Sequence, residues 1–247
     1  MNVFVIGASR GIGLEFVRQY REQWDRVVAT ARDDAGLQRL AALGAQPLKL
    51  DVADPASVSG LARQLDGEKI DVALYVAGVY STAGATQPTR EEFDRLMHTN
   101  VLGAMQAIPQ VAPMVEAAQG RFAFITSEMG HIAGANSSFG WTYRVSKAAL
   151  NMAVAAARHG YPKATVVALS PGWVRTDMGA RCAAVGGGQR CRHAAHDRRP
   201  HAPPERCLPQ PRRPTLQGLV KMDPQTHIRS RPPKGAQASL GAARREA

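Results

Sequence analysis

Short runs rich in β-branched residues alternate with amphipathic stretches through residues 1–178, and this alternation constrains the fold more than any other feature. Strands separated by helices pair in parallel, because each crossover returns the chain to the same end of the sheet. Val3–Ile6, Arg26–Ala31, Gln46–Leu50, Asp71–Val76, Arg121–Ser127 and Ala164–Leu169 read as six strands. Ile12–Gln23, Leu37–Leu43, Thr89–Glu116 and Trp141–His159 read as helices between them. Asp54-Pro55 supplies a cap and a first-turn proline, and T-R-E-E from Thr89 is close to a capping box. Right-handed crossovers lay such strands into one doubly wound, mainly parallel sheet of Rossmann type, with ligands at the carboxyl ends. A length of 247 residues suits one α/β domain of this kind.

The net charge of +11 suggests a nucleic-acid partner until it is located. Residues 1–178 hold 17 basic and 16 acidic side chains, whereas residues 179–247 hold 14 and 4. The excess belongs to a tail that also holds Cys182, Cys191, Cys207 and nine of the sixteen prolines. The periodic pattern stops after Met178, which divides the chain into a domain, 1–178, and a basic Pro/Arg-rich tail, 179–247. Few apolar residues and like charge predict disorder there. A shifted reading frame is the other account: with GC-rich codons, a one-base shift from Gln189 spells S-V-A-G-M-R-R-T-I-A-G-L, an amphipathic helix. The cysteines and His193, His196 and His201 lack C-x-x-C or comparable spacing, so no metal is expected. The basic run lacks interleaved aromatics, so no nucleic acid is expected either. No apolar window is long enough to span a membrane, and the first residues lack a secretory signal, which makes a cytoplasmic location the expectation.

The first strand runs into Gly7-Ala8-Ser9-Arg10-Gly11-Ile12-Gly13 and then a helix. Such a turn lets backbone N–H groups approach a pyrophosphate, whose charge the helix N-terminus favours. The second strand ends in Ala31-Arg32, without the acidic residue that accepts from the ribose of NAD. Arg32 with Arg10 can bracket a 2′-phosphate, which favours NADP(H) over NAD(H), although Asp33 and Asp34 lie close to Arg32. Of five tyrosines, only Tyr143 has a lysine four residues on, Lys147, and that spacing puts both on one helical face. A nearby ammonium favours the phenolate, so the pair can exchange a proton with a carbonyl or alcohol oxygen.

With this glycine spacing and Y-x-x-x-K, the chain resembles the short-chain dehydrogenase/reductase family over about residues 1–178. Y-R-V-S-K-A-A-L-N-M and P-G-W-V-R-T-D-M are most similar to its carbonyl reductases of the sniffer and C-factor type. The resemblance implies hydride transfer between NADP(H) and a small-molecule carbonyl or alcohol. It implies that Ser127 orients the substrate oxygen, with Thr126 in its place if the register slips, and that Asn100 serves a proton relay beyond Lys147. It implies cofactor contacts from Gly7, Ser9, Arg10, Gly11, Ile12, Gly13, Arg32, Asp51, Val52, Ala77, Gly78, Tyr143, Lys147, Pro171, Gly172, Val174 and Thr176. Tyr75 and Val76 stand where the family carries asparagines that fix the central sheet. The loop between Ser127 and Tyr143 is longer than is common, and Tyr80, Met129, Phe139, Trp141 and Trp173 are open between lining a pocket and ordinary packing. The family's dimer or tetramer needs a last strand and helix that the tail does not show, which leaves assembly and turnover open. A cofactor-binding regulatory protein, or an inactive paralogue keeping the site, is the alternative reading.

Overall fold

The computed structural model describes residues 1–23, 25–84 and 86–172, all within the unit Met1–Leu208. Strands β1 (Asn2–Ile6), β2 (Arg26–Ala31), β3 (Gln46–Lys49), β4 (Val72–Tyr75), β5 (Arg121–Ile125) and β6 (Thr165–Leu169) form one sheet in the order β3-β2-β1-β4-β5-β6. Every pairing is parallel, as the alternating pattern requires. Helices cover both faces of such a sheet, so its inner strands are apolar throughout. V-A-L-Y of β4 is buried at all four positions. Strand β3 is mostly exposed and carries Pro47, which suits an edge that needs fewer ladder hydrogen bonds.

The helices are α1 (Gly11–Glu22), α2 (Asp34–Ala42), α3 (Pro55–Ser59), α4 (Leu61–Gln64), α5 (Arg90–Met97), α6 (Gly103–Ala117) and α7 (Trp141–Ala157). Side chains close three of their N-termini: Asp33 accepts from Gly36 N, Asp54 from Ala56 N, and Thr89 from Glu92 N. Helix α1 differs. Arg10 precedes it in extended conformation, no side chain caps it, and its first turn holds no acidic residue. Its free N–H groups therefore face the glycine turn.

The single helix expected over Thr89–Glu116 is instead α5 and α6 joined by a π-helical turn, His98–Leu102. The extra residue of a π-turn rotates α6 relative to α5, so both helices keep their buried faces while Asn100 turns inward. Close packing holds the turn. Tyr75 Oη donates to Thr99 O at 3.1 Å, and a Cβ at Gly103 would lie 2.5 Å from Val52 O. Tyr75 is fully buried and stacks on Phe124 at 5.6 Å, so it ties β4 to this turn. Winding reverses at β1, leaving a crevice between the carboxyl ends of β1 and β4.

Candidate active site

The crevice is lined on one side by the glycine turn. Gly7 has φ 84° and Gly11 φ 58°, both in the left-handed region. A Cβ on Gly7 would meet Ala77 N at 2.5 Å and Ala77 Cα at 2.6 Å, so the loops after β1 and β4 touch. A Cβ on Gly13 would strike the Gly7 carbonyl oxygen, so the start of α1 also lies directly on the turn. Strand β2 pins the turn from below: Gly7 N donates to Thr30 Oγ1 at 3.0 Å and Ala8 N to Thr30 O at 2.8 Å. A backbone cradle of this kind, ending on an uncapped helix, fits a dinucleotide pyrophosphate. Gly7, Gly13, Ala77 and the start of α1 are the parts that would hold it, with Ser9 half-buried and Arg10 exposed beside them.

Asp33 and Asp34, which lie next to Arg32 in sequence, have other partners. Asp33 caps α2 at 2.6 Å, and Asp34 accepts from Lys49 at 3.3 Å. Neither forms an ion pair with Arg10 or Arg32 among the described residues. A third guanidinium, missed in the sequence, joins this side: Arg39 Nε donates to Ser9 O at 3.0 Å. A Cβ at Gly36 would lie 3.0 Å from Ser9 Cβ, and Arg39 is three residues further along the same helical face. Asp51 uses its carboxylate on Ala53 N at 3.0 Å, and Val52 is buried against Gly103.

Across the crevice, α7 presents Tyr143 and Lys147 together. Both are buried, and Lys147 Nζ lies 5.7 Å from the centre of the Tyr143 ring. Lys147 Nζ donates to Ile125 O at 3.0 Å. Ser127 lies close enough to Tyr143 to oppose the rise of its phenol pKa, and its Oγ accepts from Met129 N at 3.1 Å, whereas Thr126 Oγ1 donates to Asn151 Oδ1 at 2.6 Å. Ser127, not Thr126, is thus the residue turned to the phenol. Asn100 is fully buried. Its Oδ1 accepts from Val79 N at 2.8 Å, and its Nδ2 donates to Val79 O at 3.0 Å and Ser146 Oγ at 2.9 Å. Ser146 in turn donates to Tyr143 O, so a chain of bonds runs from the loop after β4 to the tyrosine. Val79, Ser146 and Asn151 carry no signal in sequence, because their role lies wholly in tertiary contacts.

Gly78 closes the corner. A Cβ there would meet Asn100 Oδ1 at 3.3 Å and Lys147 Nζ at 3.6 Å, so only glycine leaves that space open. Tyr80 packs its ring edge-on against Tyr143, with centroids 4.6 Å apart. Phe139 and Trp141 are exposed, and Met129 is half-buried against Gly140. Thr126 N donates to Leu169 O at 2.8 Å, so Pro171 and Gly172 leave β6 beside the Ser127 loop. Trp173, Val174, Thr176 and the tail, with its cysteines and histidines, lie outside the described residues.

Burial sets the charge states. It pushes the Tyr143 phenol up to about 12, with the Ser127 hydrogen bond opposing, and lowers Lys147 to about 8. In this site, then, burial raises the phenol by more than its neighbours lower it. The arrangement holds a neutral phenol and, at neutral pH, a mostly charged amine at the mouth of a phosphate cradle.

The profile of the short chain dehydrogenases matches residues 1–184. The chain belongs to the short-chain dehydrogenase family. As a member it is an NAD(P)-dependent oxidoreductase with a Rossmann-type fold. This short-chain dehydrogenase is 32% identical over 181 residues to the 1-hydroxy-2-glutathionyl-2-methyl-3-butene dehydrogenase of Rhodococcus sp. (strain AD45), covering 71% of this chain and 79% of that protein. It is similar in structure to a short-chain dehydrogenase/reductase from Burkholderia multivorans with bound NADP. There the TM-score is 0.66 and the identity 29%, over 72% of this chain and 81% of that one. A short-chain dehydrogenase from Sphingobium yanoikuyae in complex with NADPH gives a TM-score of 0.63 at 25% identity, over 74% of each chain. No helix among the described residues is long and apolar enough to cross a membrane.

Proposed function

We propose that this chain is a carbonyl reductase of the sniffer and C-factor type, working between NADP(H) and a small carbonyl or alcohol. The observation that carries this reading is the buried corner in which Tyr143, Lys147 and Ser127 meet at the carboxyl end of β5, across the crevice from the glycine cradle. Bound NADPH supplies the hydride. Tyr143 gives its proton to the carbonyl oxygen as negative charge develops there, and a phenol held neutral is the acid such a step needs. Ser127 donates to the same oxygen and fixes its position. Lys147, the cation of this corner, lowers the energy of the tyrosinate that is left. Both Nδ2 hydrogens of Asn100 go to Val79 O and Ser146 Oγ and its Oδ1 accepts from Val79 N, which fixes the amide beside Lys147 for a part in returning a proton beyond it.

Preference for NADP(H) is supported by charge. Strand β2 ends without an acidic residue, Arg10 and Arg32 stand beside the cradle, and Asp33 and Asp34 are engaged elsewhere. Two similar structures hold NADP or NADPH. The same reading keeps Pro171, Gly172, Val174 and Thr176 as nicotinamide contacts and 1–178 as the domain.

The test is NADPH oxidation by the full chain against a panel of aldehydes and ketones. Tyr143→Phe serves as the control, and its rate is expected to fall by roughly 10²–10⁴-fold while NADPH still binds. NADPH binding without turnover on any carbonyl or alcohol would instead support a cofactor-binding protein that keeps the site.

A further inference from the structure

Ser127 can orient a substrate only if its own loop is held, and the structure shows a device for that outside the Tyr143–Lys147–Asn100 set. Asn151 lies one turn beyond Lys147 on α7. It accepts from the buried Thr126 hydroxyl at 2.6 Å and donates to Gly130 O at 3.3 Å. Thr126 immediately precedes Ser127, and Gly130 closes the short turn that Ser127 opens by accepting from Met129 N. One side chain thus grips the loop on both sides of the serine. Gly130 makes the grip possible, because a Cβ there would meet Lys147 Cβ at 2.9 Å and Ala148 N at 3.0 Å.

We infer that Thr126 and Asn151 are positioning residues that hold the Ser127 hydroxyl against Tyr143, acting through the loop rather than on substrate. The inference rests on the reading of Tyr143 and Ser127 proposed above. The same helix carries the proton donor and the clamp on the serine, so α7 ties the positions of the two hydroxyls together. Losing the clamp lets Ser127 drift, and misplacement by about 1 Å is enough to slow a positioned reaction severely. It also weakens the hydrogen bond that opposes the burial of the phenol.

Thr126→Val removes the hydroxyl at nearly constant shape, and Thr126→Ser keeps it. Thr126→Val is expected to lower kcat for carbonyl reduction about tenfold with NADPH affinity unchanged. Thr126→Ser restores kcat, and combining Thr126→Val with Ser127→Ala costs no more than Ser127→Ala alone. Crystal structures of the two Thr126 variants read the same claim without turnover: the Ser127 hydroxyl moves away from Tyr143 in the valine form and keeps its place in the serine form. Should Thr126→Val fail to fold, Asn151→Leu repeats the measurements from the helix side. Wild-type kcat in the valine form, additive effects in the double variant, or a matching loss of NADPH binding would each overturn the inference. A wild-type chain that turns over no carbonyl, with the Ser127 hydroxyl still displaced in the valine form, defeats the catalytic reading and leaves the clamp standing.

Discussion

Gly7→Ala separates the two demands placed on the glycine turn. The new Cβ would sit on a residue at φ 84° and would lie 2.5 Å from Ala77 N, 2.6 Å from Ala77 Cα and 2.8 Å from Ala77 Cβ. Ordinary contact needs about 3.5 Å, so the loops after β1 and β4 must part by about 1 Å. Both loops line the cradle, and a shift of that size is expected to weaken NADPH binding by roughly 10- to 100-fold. Gly67 is the matched control: its φ is 78°, yet an added Cβ has nothing within 4 Å. Gly67→Ala carries only the left-handed strain, about 1–2 kcal/mol. Each kcal/mol lowers Tm by roughly 2–4 °C for a chain of this size. Titration of NADPH fluorescence and thermal melts on wild type and both variants form the assay. Gly67→Ala should melt early and bind NADPH normally, while Gly7→Ala should lose both. If Gly7→Ala bound NADPH as tightly as wild type, the cradle would lie elsewhere.

Arg10→Ala, Arg32→Ala and Arg39→Ala should each lower the ratio of kcat/KM for NADPH to that for NADH, by about tenfold where the guanidinium contacts the 2′-phosphate. An unchanged ratio in all three would remove the charge argument for NADP(H). Carbonyl reduction should decline as pH rises through about 8, because Lys147 loses the charge that stabilises the tyrosinate while Tyr143, near 12, stays protonated. A rate profile flat from neutral to well above that pH would contradict it. Tyr75→Phe leaves the half-buried Thr99 O without this partner, and should cost about 1 kcal/mol by denaturant titration. A variant as stable as wild type would mean the hydroxyl does not hold the π-turn.

Features that live within a few residues are legible in the sequence. The strand–glycine–helix passage at Val3–Gly13 and the four-residue spacing of Tyr143 and Lys147 both rest on local periodicity, and so do the strands. The π-turn at His98–Leu102 is not legible, because one inserted residue barely disturbs an apolar period. Nor is Thr30, which reaches Gly7 only once β2 lies beside β1. The two short turns, Glu128–Gly130 and Ile132–Gly134, are too brief to show any period. The acidity of the phenol is hidden for a similar reason. Spacing places an ammonium near Tyr143 and suggests a lowered pKa, but only the packed site reveals that burial acts more strongly on both groups.

Hydride transfer itself is tested most directly with NADPH carrying deuterium at the reactive nicotinamide carbon. Mass spectrometry of the alcohol product should find the label on the former carbonyl carbon with the wild-type chain, and none above background with Tyr143→Phe. Label that never reaches any carbonyl, in a chain that demonstrably binds NADPH, would contradict the claim that these residues form a hydride-transfer site.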